Sequence, residues 1–436
     1  MTSSPPTEVF VWIWLPGATE PVVAGRLAAD GKTFAFNYGQ SYLERKDAIP
    51  IHQAELPLER GELPPLGGLT IAGCLRDGSP DAWGRRVILN HLFGLKGGRA
   101  DTSQLDELTY LLESGSDRIG ALDFQVSAFA YVPRLAAAAT LDELQSAAAL
   151  VDRGVPLTPE LDRALHHGSS IGGARPKASI VDGTSKYIAK FSASGDIYSV
   201  VKAEFIAMRL AALVGLNVAQ VKLAKSANKD VLLVKRFDRS AKGKKSWQRH
   251  AMVSALTLLK LDEMMARYAS YEDLAQIIRY DFADPKEGLR ELFGRLVFNV
   301  LCGNTDDHAR NHSALWDGHA LRLSPAYDIC PQPRSGGEAT QAMIIIGKMR
   351  SSRIATCLQA ADMCLLPRSE ALLIVEEFIQ KIGEHWRYTC EQANLGATDR
   401  NLLASRAFLN PYIFEGLSGD AAHLGQLGSE ARRRFI

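Results

Sequence analysis

At 436 residues, the chain exceeds the roughly 250–300 residues that one hydrophobic core usually supports, so its length predicts two or three domains. A formal net charge of +1 gives it no overall basic field, so any contact with DNA would come from a local patch or a partner. The six cysteines are scattered without a CxxC pair, which argues against a zinc ribbon and is typical of a reducing cytoplasm. Because no window approaches ~18 uninterrupted apolar residues and no secretion signal is evident, we expect a soluble cytoplasmic protein without membrane contact.

The first third of the chain is predicted to be rich in strands. Three short β-branched or aromatic runs, separated by Gly, Asp and Asn, have this character: 9–15, 21–27 and 33–38. Residues 79–95 open with Ser-Pro, the pattern of an N-cap and a first-turn proline, and predict a helix. The Ala-rich stretch 134–150 predicts a linking helix with Thr140 as its N-cap. We place the main domain boundary near residue 150.

From residue 170 onward a glycine-rich loop is followed by two strands, a helix and two more strands. KYIAKFS at 186–192 predicts a short strand, and the stretch 201–216 has apolar residues at helical spacing. NVAQVKLA and VLLVKRFD predict the next two strands. After residue 250 almost every segment predicts helix, and apolar residues at 289–301 recur with the period of a fully buried helical face. The predicted layout is a small β-lobe followed by a large helical lobe.

The segment GNTDDHARN, at 303–311, concentrates polar side chains where that buried helix ends. Asp306 and Asn311 have the D-x-x-x-x-N spacing of a kinase catalytic loop, and Asp328 follows in the strand-like LSPAYDIC. Carboxylate and amide oxygens are the ligands that Mg²⁺ prefers. Alone, each of these residues is as readily a helix cap or an Asx turn.

Upstream residues complete a phosphoryl-transfer set in the order that a kinase requires. Lys190 lies on the predicted strand after the loop, where its ammonium group could reach phosphate oxygens, and Glu204 on the next helix could orient it. In the loop SSIGGARPKASI, Gly172 and Gly173 allow close approach of the backbone to an anion. Arg175 and Lys177 add positive charge and Ser169 and Ser170 add hydroxyls, although a simple hairpin turn explains the loop as well.

A metal cluster is the alternative interpretation of GNTDDHARN. His308 and His312 are four residues apart and could share a helical face, with Asp306 and Asp307 beside them. The segment follows a helix stop, however, and no third His or Cys stands at ligand spacing. His308 therefore fits better as a brace of the catalytic loop through a hydrogen bond.

Taken together and in this order, several segments resemble the HipA family of bacterial serine/threonine kinase toxins: SSIGGARPKASI, YIAKF, AEFIAMRLAALVGL, VKRFDR, GNTDDHARN and SPAYDI. The stretches WLPGATEPVVAGRL and SPDAWGRR resemble the amino-terminal domain of that family. The resemblance implies an α+β, kinase-like bilobal HipA fold. Residues 1–150 would be an N-terminal β-rich domain and 151–436 the catalytic domain, divided into an ATP-binding lobe at 151–240 and a helical lobe at 241–436.

The resemblance also implies roles for individual residues in Mg-ATP-dependent phosphorylation of protein serine or threonine. Asp306 would be the catalytic aspartate, acting at an ordinary carboxylate pKa, and Asn311 and Asp328 would hold Mg²⁺. The residues implied to contact ATP are Gly172, Gly173, Lys177, Lys190, Lys235, Arg236, Phe237, His308 and Asp328, with Glu204 in support. Lys235–Arg236–Phe237 would lie at the adenine hinge. Ser170 matches the serine that family members autophosphorylate, which expels the loop and inactivates the enzyme.

The partner implied by the resemblance is a small HipB-like helix-turn-helix antitoxin, through which the protein would meet DNA indirectly. The implied substrates are aminoacyl-tRNA synthetases, of which the glutamyl and tryptophanyl enzymes are the examples. The sequence departs from the family in RHAMVSALTLLKLDEMM, where an acidic pair near a histidine is absent, which puts substrate docking in doubt. The loop SAKGKKSW at 240–247 is either a docking surface or a solvated hairpin tip. Two other functions stay open: a small-molecule kinase on this scaffold, and a catalytically silent module that anchors a DNA-binding partner.

Overall fold

The computed structural model describes residues 5–93, 103, 105–135, 139–165, 175–193, 195–243 and 246–435. The chain is α+β and divides into two compact units. The first unit comprises Met1–Asp196, Ala224–Val253 and Leu315–His319, and the second comprises Ile197–Leu223, Ser254–Ala314 and Ala320–Ile436. Of the helices in these described ranges, none combines the length and the apolar character that crossing a membrane would need.

The amino-terminal part of the first unit is an antiparallel sheet with the strand order β4-β3-β2-β1-β5. Its strands are β1 (Glu8–Ile13), β2 (Val22–Asp30), β3 (Thr33–Tyr38), β4 (Glu62–Leu63) and β5 (Leu122–Gln125). Four helices accompany it: α1 (Gln40–Leu43), α2 (Gly73–Arg76), α3 (Ala82–Phe93) and α4 (Glu107–Glu113). The three strands predicted from alternating and aromatic runs are confirmed, because their inward side chains, such as Val9, Val11 and Phe36, are fully buried.

Helix capping bears out one predicted helix start and corrects another. Helix α5 (Leu141–Arg153) begins at the predicted N-cap Thr140, which forms a reciprocal capping box with Glu143. Helix α3 begins later than the Ser-Pro pattern predicts, because Asp81 provides the cap and its Oδ1 accepts the Gly84 N–H at 2.8 Å. Ser79 hydrogen-bonds instead to Glu107.

A second sheet in the first unit has the order β6-β7-β9-β8. Its strands are β6 (Lys177–Asp182), β7 (Ser185–Lys190), β8 (Val221–Ser226) and β9 (Lys229–Lys235). One core joins this sheet to α3, α5 and α6 (Pro159–Leu165), and Trp83 at its centre donates its indole N–H to the Lys177 carbonyl at 3.1 Å. Residue 150, near which we placed the domain boundary, lies in α5, and α5 packs into this core; the boundary itself stays a prediction.

The basic segment at 240–247 belongs to a hairpin of β10 (Arg239–Lys242) and β11 (Ser246–Arg249), with residues 244–245 outside the described ranges. The base of this hairpin enters a cluster of buried charges. Its members are Asp117, Arg118, Asp123, Arg134, Lys186, Arg236, Asp238, Arg239 and Arg249. Arg236 pairs with Asp238 at 2.7 Å and donates to the Arg118 carbonyl at 2.8 Å. These contacts fix the chain that follows β9 to the loop before β5.

The second unit is mainly helical. Its helices are α7 (Val200–Leu213), α8 (Ala255–Leu258), α9 (Tyr271–Asp281), α10 (Pro285–Cys302), α11 (Ile354–Gln359), α12 (Arg368–Gln392), α13 (Ala397–Arg406) and α14 (His423–Arg433). Along the chain, three short strands fall in the region after residue 250, where almost every segment is predicted to be helical: β12 (Ala251–Ser254), β13 (Ser313–Trp316) and β14 (Leu321–Leu323). A long stretch without helices, 324–353, also departs from that prediction.

Helix α10 is the centre of the second unit, and its predicted apolar face is confirmed. The residues of that face are all fully buried: Leu289, Leu292, Phe293, Leu296, Val297, Val300 and Leu301. The helix ends at Gly303, which has a left-handed φ of 74°. A Cβ at this position would lie 2.9 Å from the Ala407 carbonyl oxygen, so both conformation and space require glycine.

We predict that Gly303→Ala destabilises the protein more than Gly347→Ala does. Gly347 also has a positive φ, of 57°, but a Cβ there meets open space, so its variant reports the conformational cost alone, about 1 kcal/mol. Gly303→Ala adds the clash with Ala407, and the melting temperature should fall by at least about 2–4 °C more. Equal melting temperatures for the two variants would contradict the packing argument.

The charge cluster predicts a large effect of Asp238→Asn. Burial opposes ionisation of this carboxyl, but Arg236 and Arg239 outweigh it and hold its pKa well below the ordinary value. Removing the charge leaves the buried Arg236 and Arg239 guanidinium groups to share Asp117 as their counter-charge and should cost about 3–5 kcal/mol of unfolding free energy. The exposed pair Arg45–Asp47 supplies the control, since solvent screens this pair and Asp47→Asn should leave stability almost unchanged.

The same carboxyl predicts a pH dependence with a definite sign. Because the folded-state pKa of Asp238 is lowered, its contribution is complete above the unfolded pKa of about 3.9 and is lost as pH falls towards the folded value. Denaturant unfolding at pH 7 and below pH 4 should therefore show a smaller acid loss of stability in Asp238→Asn than in the wild-type protein. An unchanged acid loss would rule out this origin.

Candidate active site

The polar segment after α10 begins from a rigidly capped helix end. The Gly303 N–H bonds to the Val300 carbonyl at 3.3 Å, and the Asn304 N–H bonds to the Asn299 carbonyl at 2.9 Å. The Asn304 side chain also donates to Asn299 Oδ1 at 3.0 Å. Residues 304–308 then run without helix or strand into a single 3₁₀ turn at Ala309–Asn311. We call 303–312 the catalytic loop.

Asp306 and Asn311 are linked through the backbone of this loop. The Asn311 side-chain N–H₂ donates to the Asp306 carbonyl at 3.2 Å, and its backbone N–H bonds to the His308 carbonyl at 2.8 Å. This orientation leaves Asn311 Oδ1 as the atom that could meet a cation. His308 thus braces the turn through its carbonyl, whereas the brace expected from its imidazole is not seen at Nδ1, which is buried without a hydrogen-bond partner among the described residues.

The Asp306 carboxyl does not have the ordinary pKa that the sequence led us to expect. The side chain is accessible to solvent, but the surrounding protein still buries it in part, and this burial raises its pKa. The charges of Asp328 and Asp307 raise it further, while His308 opposes them. The effect of Asp328 shows that two carboxyl groups twenty-two positions apart in sequence are neighbours in the fold.

Asp328 is held in a strained conformation by its neighbours, not in the predicted strand. Its φ is 59°, a left-handed value that is uncommon for a residue other than glycine. Just before it, the Ala326 N–H bonds to the Asn217 carbonyl at 2.7 Å, and the Tyr327 hydroxyl donates to the Arg310 carbonyl at 2.7 Å. Beyond it, the Gln332 N–H bonds to the Gly303 carbonyl at 2.9 Å. The segment is therefore tied to both ends of the catalytic loop.

The other side of the loop faces the protein interior. Asp307, which is buried, accepts a hydrogen bond from the Tyr271 hydroxyl and lies 3.0 Å from His312 Nε2. Burial opposes ionisation of Asp307, but the charge of His312 and the hydrogen bonds from His312 and Tyr271 outweigh it and lower its pKa. Sequence reasoning named Asp307 and His312 only as metal ligands and missed Tyr271, thirty-six positions upstream.

The metal-cluster alternative at this segment is not supported. His308 and His312 do not share a helical face, since Ala309–Asn311 forms only one 3₁₀ turn between them. Within the described ranges, the group of potential ligands that converges lies elsewhere, at His52, Glu55 and Cys74. There the Glu55 carboxylate accepts the Gly73 and Cys74 backbone N–H groups, each at 2.8 Å, which explains the cluster as the cap of α2.

In the first unit, two of the predicted nucleotide-binding lysines share a face of the sheet. Lys177 and Lys190 are directly opposite each other in the register of β6 and β7, so their side chains point to the same side. Lys177 is buried, with its Nζ 3.4 Å from Asp81 Oδ2. Glu204 is buried on α7 of the second unit, and its proposed pairing with Lys190 stays a prediction.

In the segment expected to form the adenine hinge, the Arg236 side chain already binds other residues of the protein. The Arg236 guanidinium binds Asp117, Asp238 and the Arg118 carbonyl, so any contact of Arg236 with a nucleotide would fall to its backbone. Lys235 ends β9, and Phe237 follows in the irregular chain.

The predicted phosphate loop is only partly described. Ser169, Ser170, Gly172 and Gly173 lie outside the described residues. Arg175, directly after them, forms a bidentate ion pair with Asp196, with nitrogen–oxygen distances of 2.6 and 3.2 Å. This pair anchors the exit of the loop to the chain that follows β7.

Comparison with known proteins assigns both parts of the chain. A model of the HipA N-terminal domain matches residues 15–125, and a model of the HipA-like C-terminal domain matches residues 169–386. A putative kinase, Y4mE, of Sinorhizobium fredii is 30% identical over 131 residues, which are 29% of this chain and 31% of that protein. The serine/threonine-protein kinase toxin HipA of Shewanella oneidensis is 26% identical over 186 residues, 37% and 42% of the two chains. The matches thus span less than half of either relative.

The fold has a full-length counterpart among solved structures. A chain of the Shewanella oneidensis MR-1 toxin–antitoxin complex of HipA, HipB and operator DNA superposes with a TM-score of 0.65 at 18% identity. The superposition covers 97% of this chain and 96% of that one. At this identity it establishes the fold, and it confirms the predicted α+β class.

We predict that Tyr327→Phe weakens divalent-cation binding without unfolding the protein. The variant keeps the ring but loses the hydrogen bond to Arg310 that ties the Asp328 segment to the catalytic loop. A bond worth about 0.5–1.5 kcal/mol corresponds to roughly a 2- to 10-fold loss of affinity. Calorimetric titration with Mn²⁺ measures it, and Tyr280→Phe, at an exposed ring on α9, is the control. Identical affinities in both variants would show that this tie does not shape the site.

Proposed function

Because the chain belongs to the HipA family, we propose that it is a serine/threonine protein kinase that uses Mg-ATP, the toxin of a toxin–antitoxin pair. The observation that carries this proposal is the arrangement at the end of α10. Burial and the nearby charge of Asp328 raise the pKa of Asp306, and the Asn311 side chain donates to the Asp306 carbonyl. The Asp328 carboxylate and the Asn311 amide oxygen are donors that suit a hard divalent cation, which leaves Asp306 as the proton acceptor.

In this proposal each residue has a distinct task. Asp306, reachable from solvent, orients the attacking hydroxyl and accepts its proton. Asn311 Oδ1 and the Asp328 carboxylate hold Mg²⁺, which when bound neutralises charge on the transferred phosphoryl group. Lys190 and Lys177, on one face of the sheet, supply positive charge for the phosphates of ATP. The raised pKa of Asp306 brings this group nearer to the range in which a carboxylate exchanges protons efficiently.

The loop at 166–174 is proposed as the regulatory element of this kinase. Autophosphorylation at Ser170 would add about two negative charges next to Arg175 and Lys177, both of which already pair with carboxylates. The new phosphate would compete with Asp196 for Arg175 and with Asp81 for Lys177. This competition is the physical basis for a conformational change of the loop after phosphorylation. This part of the proposal draws on the family resemblance and on the charges that flank the loop.

The proposed partners follow from the family and the charge balance. A HipB-like helix-turn-helix antitoxin would bring the chain to operator DNA, which a protein of net charge +1 would not hold through its overall field. An aminoacyl-tRNA synthetase is the proposed substrate class. Family membership supports these assignments, and the catalytic geometry is independent of them.

The experiment that tests the function is phosphotransfer by the purified chain with Mg²⁺ and γ-labelled ATP. We predict that Asp306→Asn lowers the rate by roughly 10²–10⁴-fold, because it removes the proton acceptor, while ATP binding is retained. Asp281→Asn, at an exposed carboxylate at the end of α9, is the matched control and should be fully active.

Peptide mass spectrometry then locates the label. Label on Ser170 that disappears in Ser170→Ala and persists in Ser169→Ala is the expected result. A mass-shifted small molecule without labelled protein would point to a metabolite kinase. Nucleotide binding without any turnover would point to a silent module, and full activity of Asp306→Asn would refute the assignment.

A further inference from the structure

Several buried polar side chains contact the catalytic loop, and the phosphoryl-transfer reaction proposed above gives them no role. We propose that Tyr271, Asp307 and His312 are positioning residues that set the direction of the Asp306 carboxylate. This inference rests on the proposed function, and it adds three residues that work through Asp306 without touching substrate. All three are buried in the second unit.

The backbone at this point explains how a buried residue can aim an exposed one. Residues 304–308 run without helix or strand, and the two adjacent carboxylates have different surroundings. Asp306 is exposed to solvent, whereas Asp307 is only 3% exposed. A rotation of the chain that freed Asp307 from its partners would turn Asp306 away as well. The anchor of one carboxylate therefore fixes the orientation of the next.

The partners of Asp307 come from two different places in the chain, which makes the anchor stiff. The Tyr271 hydroxyl donates to Asp307 Oδ2 from the first residue of α9. His312 Nε2 lies 3.0 Å from the same oxygen, at the end of the loop. The Tyr271 and His312 rings also meet edge to face, with centroids 5.5 Å apart and planes at 77°. The three side chains thus restrain one another.

Backbone hydrogen bonds close the arrangement into a ring. The Tyr271 N–H bonds to the Ile344 carbonyl at 2.8 Å, and the Ala342 N–H bonds to the Thr305 carbonyl at 3.0 Å. One short segment, 342–344, therefore holds both the residue before Asp306 and the residue that anchors Asp307. This ring of hydrogen bonds joins Thr305 and Asp307, the residues on either side of Asp306. A small change in the Tyr271–Asp307 contact therefore alters the orientation of the Asp306 carboxylate.

The test separates positioning from folding through conservative variants. Tyr271→Phe removes one hydroxyl and keeps the ring, and Asp307→Asn keeps the shape and removes the charge. Tyr42→Phe is the matched control, since Tyr42 is also fully buried and donates its hydroxyl to the Ile49 carbonyl at 2.8 Å, in the first unit. His312→Gln retains a side-chain N–H for Asp307 and should recover part of the activity that His312→Leu loses.

We expect Tyr271→Phe and Asp307→Asn to lower kcat by about 10- to 100-fold with the KM for ATP changed by less than about twofold, since the nucleotide ligands themselves are intact. Tyr42→Phe should leave both constants at the wild-type values. The inference is overturned if Tyr271→Phe keeps the wild-type kcat, or if kcat and ATP affinity fall together in step with thermal stability.

Hydrogen exchange provides a readout that does not need catalysis. Amides of the catalytic loop should exchange faster in Tyr271→Phe and Asp307→Asn than in the wild-type protein, while amides of α12 are unchanged. If the wild-type protein transfers no phosphate but these loop amides loosen, the proposed function fails and the positioning role stands. If wild-type activity is present and the loop amides are unchanged in both variants, the positioning role fails and the proposed function stands.

Discussion

The left-handed turn at Gly303 is the constraint on which the candidate active site depends. Helix α10 is buried on nearly every side, and its last turn ends where the backbone of Ala407 leaves no room for a Cβ. Gly303 therefore fixes the direction in which the chain leaves the end of α10. The position of the catalytic loop depends on that direction, and the Asp328 segment is attached to the same residue by the hydrogen bond from the Gln332 N–H to the Gly303 carbonyl.

From that point the loop divides its polar residues between two environments. Burial and the charge of Asp328 raise the pKa of Asp306, whereas the charge of His312 and the hydrogen bonds from His312 and Tyr271 outweigh burial and lower the pKa of Asp307. Two adjacent aspartates thus acquire opposite electrostatic characters from burial and neighbours alone. The polar residues after the buried helix are divided accordingly: Asp306 is exposed to solvent, and Asp307 is hydrogen-bonded inside the protein.

In the first unit, buried charges must likewise be compensated by opposite charges, and these ion pairs join two distant segments of the chain. The Arg236–Asp238 pair and its neighbours tie the chain after β9 to the loop before β5. The amino-terminal sheet and the sheet that carries Lys177 and Lys190 are therefore parts of one folded unit. The face of the sheet opposite Lys177 and Lys190 packs against α3 and α5.

The sequence by itself determined the local features: β1 to β3, the N-cap at Thr140, the α10 face and the stop at Gly303. These depend on periodicity and on caps within a few residues, so their signals are written in short windows. The motif residues of the candidate site could also be named from spacing and family resemblance. Only the tertiary structure decided that Ser79 bonds to Glu107 instead of capping α3, that Arg236 is buried in an ion cluster, that α5 packs into the core of the first unit, and that Tyr271 bonds to Asp307. Those outcomes depend on contacts between distant segments, and the free energy of such contacts is set by burial that no local pattern encodes.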